Sequence, residues 1–138
     1  MDNIYIQEQV PQVNEEEIRR ALKHFNWGAF GFSWIWGLGN GSLGKTWYMI
    51  IIDVLLQCFK TNYQILGILL LCSLITRIYF GINGNKWAFD NRAWFSIKDY
   101  TETQKRWAIA MIVALCLILV AVLIGICFAF IVMHAMVK

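Results

Sequence analysis

An all-α integral membrane protein is the fold class that three observations predict. Of the 138 residues, 59% are hydrophobic and only 15% charged, whereas soluble domains sit nearer about 45–50% and about 25%. The apolar residues are gathered into long runs, and most of the bases lie between or before those runs. A soluble fold of this length leaves too much surface wet to hide such content. A disordered chain, a disulfide scaffold and most small soluble enzymes are thereby excluded. The net charge of +3, scattered among aromatics, gives no basic stripe for nucleic acid, so no nucleic-acid partner is expected.

Residues 1–26 read as a cytoplasmic tail and an amphipathic helix. The tail is polar as far as Pro11, and residues 1–20 hold five acids and no apolar stretch, so no cleavable signal peptide is expected. Asn14 is placed as a helix N-cap, with Glu17 at the capping-box position and Val13 stapled to Ile18. Glu15–Arg19 and Glu16–Arg20 are i,i+4 pairs in the favourable order. Ile18, Ala21, Leu22 and Phe25 form one apolar stripe, which suits a helix lying on an apolar surface rather than crossing it.

Residues 27–138 read as a membrane domain. Its first segment, Trp27 to Leu43, carries no charge and is broken by glycines. Phe30, Phe32, Trp34 and Trp36 alternate as in a strand, while Trp27, Phe30 and Trp34 also sit at helical spacing. An unpaired strand leaves its amides unsatisfied in hydrocarbon, so an aromatic re-entrant or interfacial helical segment is expected. Three spans follow, at about 43–59, 65–82 and 107–133. The last belongs to an uncharged run from Trp107 to Val137 and exceeds the roughly 20 residues a crossing needs. Thr101 and Gln104 offer a capping box ahead of it.

Between the second and third spans, Asn83-Gly84 reads as a helix stop. A short surface-lying helix is expected after it, presenting Trp87, Ala88, Asn91, Trp94 and Phe95 on one face, with Lys86 and Asp90 paired opposite. Together with Trp27, Trp34 and Trp36 this forms an interfacial platform. With three crossings, Arg19, Arg20, Lys23, Lys45, Lys86, Arg92, Lys98, Lys105 and Arg106 share one side, against Lys60 and Lys138 on the other. The positive-inside bias then puts the N-terminus in the cytoplasm and the C-terminus outside.

Four features bear on chemistry. Residues 39–46, GNGSLGKT, match the P-loop pattern letter for letter, and Asp53 follows an apolar run as a magnesium ligand would. That chemistry needs a strand to deliver the loop and the aspartate on a neighbouring strand; this sequence offers helices, and a flexible turn with Lys45 at the interface is the better reading. Asp53 itself, about 15 Å into the first span at 1.5 Å per residue, is the most expensive residue in the chain. With Gln57 one turn on, it reads either as a proton or ion site or as an acid tied to a neighbouring helix through Arg77. Arg77 alternatively snorkels to the cytoplasmic end. Ala121, Gly125 and Ala129 form a small-residue stripe, suited to close packing against the first two spans or a second copy. Cys58, Cys72, Cys116 and Cys127 form no CxxC pair, and His24 and His134 are isolated. Hence no metal, cofactor or catalytic residue is expected, and the chain is not read as an enzyme.

The blocks FNWGAFGFSWIWGLGN at 25–40, GINGNKWAFDNRAWFSIKDY at 81–100 and QKRWAIAMIV at 104–113 carry a resemblance to an uncharacterised bacterial family of small integral membrane proteins. Its members bear an FNWGAF-x-x-x-WIWG segment and a G-x-x-GN-x-WA-x-x-NR-x-W segment. The similarity spans about 25–113. Some relatives carry an N-terminal zinc ribbon, which has no counterpart before Cys58. Others are labelled ribonuclease G, yet this sequence has neither an acid cluster for metal nor a basic RNA groove. The resemblance implies membrane architecture and brings no activity with it. The expected function is a non-enzymatic interaction or assembly component, in contact with the bilayer and with a membrane-protein partner or a second copy. The alternatives are a channel or transporter subunit using Asp53 and Gln57, and a nucleotide-binding protein using GNGSLGKT.

Overall fold

The computed structural model describes residues 15–136, and all regular structure among them is helical. Helix α1 spans Glu15–Leu22, α2 Trp27–Phe32, α3 Trp34–Gly39, α4 Leu43–Thr46, α5 Tyr48–Cys58, α6 Tyr63–Asn91 and α7 Ile97–Met136. The expected Asn14 cap and Val13 staple lie outside the described residues. Acids open α1 and arginines close it, the order that its backbone dipole favours. Arg20 Nη2 and Glu16 Oε2 are 3.1 Å apart, one of the i,i+4 pairs read from the sequence.

The segment from Trp27 to Leu43 is neither a strand nor a single helix. Asn26 starts α2 by accepting a hydrogen bond from Ala29 N at 2.8 Å, while its own N–H donates to Gly81 O at 2.7 Å. Ser33 breaks the run with φ of 47°, a conformation that non-glycine residues adopt at a cost. Its hydroxyl accepts from Arg77 Nη1 at 2.8 Å, which holds it there. The glycines serve packing. Helix α2 is wedged between α6 and α7, and a Cβ on Gly28 would fall 2.6 Å from Trp107 Cβ.

Two corrections concern helix ends. Asn83-Gly84 does not stop the second helix: α6 runs unbroken for 29 residues, about 43 Å at 1.5 Å per residue. Asn83 Nδ2 donates to Tyr79 O within the helix at 3.0 Å. Gly84 is there because a Cβ would sit 2.7 Å from Ala29 Cβ. Trp87, Ala88 and Asn91 of the expected separate surface helix therefore lie in the last turns of α6, while Trp94 and Phe95 fall in the non-helical link before α7. At the start of α7, Ser96 supplies the cap, its Oγ accepting from Asp99 N at 3.1 Å. Thr101 bonds back to Lys98 O, and Gln104 turns inward, so the Thr101/Gln104 capping box does not form.

Two described helices, α6 and α7, are long and apolar enough to cross a bilayer. The stretch 43–59 becomes α4 and α5, joined at Trp47, which keeps helical backbone angles and donates to Leu43 O at 2.9 Å. With 11 residues, α5 is only about 16 Å long, short of a hydrocarbon core of about 30 Å. It lies beside α6 as the second arm of a hairpin.

The packed core sits at the polar ends of the long helices, around Trp36, Met49, Phe80, Ala88 and Tyr100. Edge-to-face rings knit it together: Tyr48 on Phe80, Phe80 on Trp87, and Trp94 on Tyr100. Beyond Met111, α7 leaves this body. From Ile112 to Met136 every residue is exposed except half-buried Ala114. The stripe of Ala121, Gly125 and Ala129 consequently does not pack on the other long helices; nothing lies within 4 Å of a Cβ at Gly125. Helix α7 is 40 residues long, and the core engages only its first few turns.

Candidate functional site

Sequence reasoning singled out Asp53, Gln57 and Arg77, and the fold brings two of the three into contact. Asp53 lies midway along α5 with its carboxylate turned onto α6. Arg77 Nη2 is 3.4 Å from Asp53 Oδ1, and Trp34 Nε1 donates to Oδ2 at 3.2 Å. The guanidinium does more than pair. Its Nη1 donates to Gly31 O and Ser33 Oγ, each at 2.8 Å, and its Nε faces Ser73 Oγ at 3.3 Å. Carbonyls at the end of a short helix have no partner further along the chain. A planar guanidinium with five N–H donors can serve several such acceptors at once. Arg77 thus joins α2, α5 and α6 instead of snorkelling, and Asp53 is the anion that balances it. Gln57 stays exposed, yet it shares an open hollow with Asp53, Trp34 and Val54.

The P-loop letters take a different shape. Residues 39–46 form the end of α3, a turn and α4, with no strand before them. Ser42 N donates to Gly37 O and Lys45 N to Ser42 O, so the amides that would cradle phosphate bond within the chain. Thr46 is fully buried and its hydroxyl donates to Ser42 O. Lys45 Nζ stands 5.7 Å over the Trp87 ring. Gly41 has φ of 69°, and a Cβ there would sit 2.9 Å from Asn91 O; both facts call for glycine in this turn.

The expected tryptophan platform is divided between surface and core. Trp27 is 52% exposed and Trp36 0%, so Trp36 belongs to the core. Trp34 is half-buried on Asp53. Trp87 packs between Tyr79, Phe80 and Lys45. Trp94 lies beneath the Arg92 guanidinium at 4.6 Å and donates to Ala88 O. Asn91 bonds to Trp87 O and Ser42 Oγ, tying α6 to the glycine turn. Phe95 is left fully in the open.

The residues that sequence reasoning missed are four uncharged amides. Asn26 Nδ2 donates to Asn85 Oδ1 at 2.7 Å and to Gln104 Oε1 at 2.9 Å. Trp36 Nε1 also donates to Gln104 Oε1, at 3.1 Å. Gln104 Nε2 donates to Asn40 Oδ1 at 2.7 Å. Asn85 Nδ2 reaches His24 O, and Tyr100 Oη donates to Asn85 O at 3.2 Å. Burial pushes the Tyr100 phenol well above its ordinary pKa, so it remains a donor at neutral pH. No described buried side-chain N or O atom lacks a partner. Such a fully satisfied network fixes one arrangement of its helices. A signal existed: Asn26, Asn40, Asn85 and Gln104 all fall inside the quoted sequence blocks, where uncharged amides stand among tryptophans and glycines.

Beside this hub a cavity of about 440 Å³ opens between α1 and the first turns of α7. No group of three His, Cys, Asp or Glu side chains that could hold a metal occurs among the described residues. No protein-family model, curated protein or solved structure matches this chain.

Proposed function

We propose that this chain is a small membrane-embedded interaction or assembly component without catalytic chemistry. The observation that carries the reading is the outer length of α7. A helix exposed from Ile112 to Met136 with almost no polar side chain is uncovered by its own chain, and water is a poor solvent for it. Acyl chains solvate most of that length, and the small-residue stripe Ala121, Gly125 and Ala129 offers close helix approach to a membrane partner or a second copy. Meanwhile the rings and amides at the opposite end hold a rigid platform in which the polar turns of α6 and α7 are locked together.

Chain connectivity supports a topology for this reading. Helix α1 packs at the polar ends of α6 and α7, whereas Tyr63 begins α6 at its far end. Residues 43–62 run back beside α6 to that end, which supports reading α4 and α5 together, though not α5 alone, as a short first crossing. On this reading the nine clustered bases face the cytoplasm and the C-terminal end of α7 lies outside. The test is a photoreactive residue placed at 125, irradiated in membranes and followed by sizing in mild detergent. A discrete protein adduct supports the proposal; adducts to lipid alone with a monomeric chain refute it.

A second reading, a channel or transporter subunit, draws on one observation: Asp53 and Gln57 line the same open hollow. It requires flux through proteoliposomes that Asp53→Asn abolishes, and unchanged flux removes it.

A further inference from the structure

We propose that the cavity between α1 and α7 seats the head group of one anionic phospholipid; this rests on the membrane placement of α7. Three observations converge on the pocket. Its rim carries Lys105 and Arg20, with His24 beside them and Glu17 as the acid in its lining; Arg20 gives one Nη to Glu16 at 3.1 Å, which leaves Lys105 and the other guanidinium N–H groups to meet an anion. It straddles the point where α7 changes character: Lys105 and Arg106 are the last formal charges before an uncharged run that begins at Trp107 and extends to Val137. Phospholipid phosphates lie at that level of a membrane, where bases and tryptophans collect. The lower wall is apolar, formed by Trp27 and Ala108, and half-exposed Trp27 marks the side on which acyl chains would leave.

The remaining wall selects among lipids. About 440 Å³ suits a head group with its glycerol and excludes two acyl chains, which must lie outside along α7. A choline ammonium would face Arg20 and Lys105, a like-charge arrangement, and has no N–H to give to Glu17. Glu17 and Thr101 on the wall instead accept from hydroxyls, as a glycerol head group provides. The back of the cavity is the Asn26–Asn85–Gln104 hub, so its shape is set before the lipid arrives.

The probe is phosphatidylglycerol against phosphatidylcholine, equimolar in micelles, with the full chain read by native mass spectrometry. One phosphatidylglycerol per chain is expected to be retained in preference. Two bases near an anionic lipid are together worth about thirtyfold in affinity, so Arg20→Ala with Lys105→Ala should reduce retention by roughly that factor. Lys86→Ala with Lys98→Ala, bases at the same end but outside the cavity, should leave it unchanged. All four side chains are exposed, and unchanged far-UV dichroism confirms that both variants fold. Equal retention of the two lipids, equal loss in the two double variants, or displacement by glycerol phosphate at matched concentration would each overturn the proposal. Alkaline extraction of membranes is the separate arm: release of the chain to the supernatant refutes the membrane placement itself.

Discussion

Replacing Gln104 with leucine tests whether the amide hub, and not apolar packing alone, holds the long helices together. Leucine is close in volume, so the change leaves no large cavity and isolates the hydrogen bonds. Asn26 Nδ2 keeps its bond to Asn85 Oδ1, but Trp36 Nε1 and Asn40 Oδ1 lose the partner they face. Both residues are 0% exposed. An unsatisfied buried polar group costs about 1–3 kcal/mol, which gives about 2–6 kcal/mol for the pair. Gln104 also borders the cavity, and water entering there keeps the cost near the lower half, about 2–4 kcal/mol. Against a total stability of about 5–15 kcal/mol, that is a drop in Tm of roughly 10 °C for a chain of this size. Thermal unfolding in detergent micelles reads the shift. The control is Thr101→Ala, which removes only an exposed hydroxyl bond to Lys98 O and should cost under about 0.5 kcal/mol. If Gln104→Leu melts within about 2 °C of the parent, or Thr101→Ala proves the worse of the two, the hub carries no such weight.

Gly28→Ala sets a methyl 2.6 Å from Trp107 Cβ and should destabilise by about 1–3 kcal/mol. Gly125→Ala meets open space and should be neutral or stabilising by up to about 1 kcal/mol, a contrast that denaturant titration of the two variants resolves. Arg77→Met strands the part-buried Asp53 and the Gly31 carbonyl together and should cost about 1–3 kcal/mol. Asp53→Asn should cost clearly less, since its amide oxygen still accepts from Trp34 Nε1; equal losses would deny Arg77 its place as the joint. The phenol of Tyr100 ionises with more difficulty when folded than at its ordinary pKa of 10.0. Its contribution is therefore complete below about pH 10 and declines as pH rises beyond that, because only the unfolded chain releases the proton. Stability measured from pH 8 to 11 should fall at the top of the range, and fall less in Tyr100→Phe.

Helical class and the apolar runs were legible because composition and periodicity are sums over neighbouring residues. The i,i+4 pair Glu16–Arg20 was legible for the same reason. Asp53 stood out by its cost in an apolar run, and its link to Arg77 was one of the readings left open. Glycine was the least transparent residue. Gly84 looked like punctuation and is a contact surface for Ala29, a difference that no local pattern carries. The aromatic alternation from Phe30 to Trp36 suggested two periods at once, and the break at Ser33 settled it by dividing the segment between two short helices.

By itself the sequence determined the helical class, where the long apolar runs lie and where the charges collect, since each residue brings its transfer energy wherever it sits. Tertiary structure alone decided which polar groups meet. Asn26 bonds to residues 59 and 78 positions away, and Trp36 to one 68 positions away. An asparagine or glutamine has the same composition on a wet surface and in a core. Only the arrival of distant donors and acceptors within about 3 Å turns it into a joint.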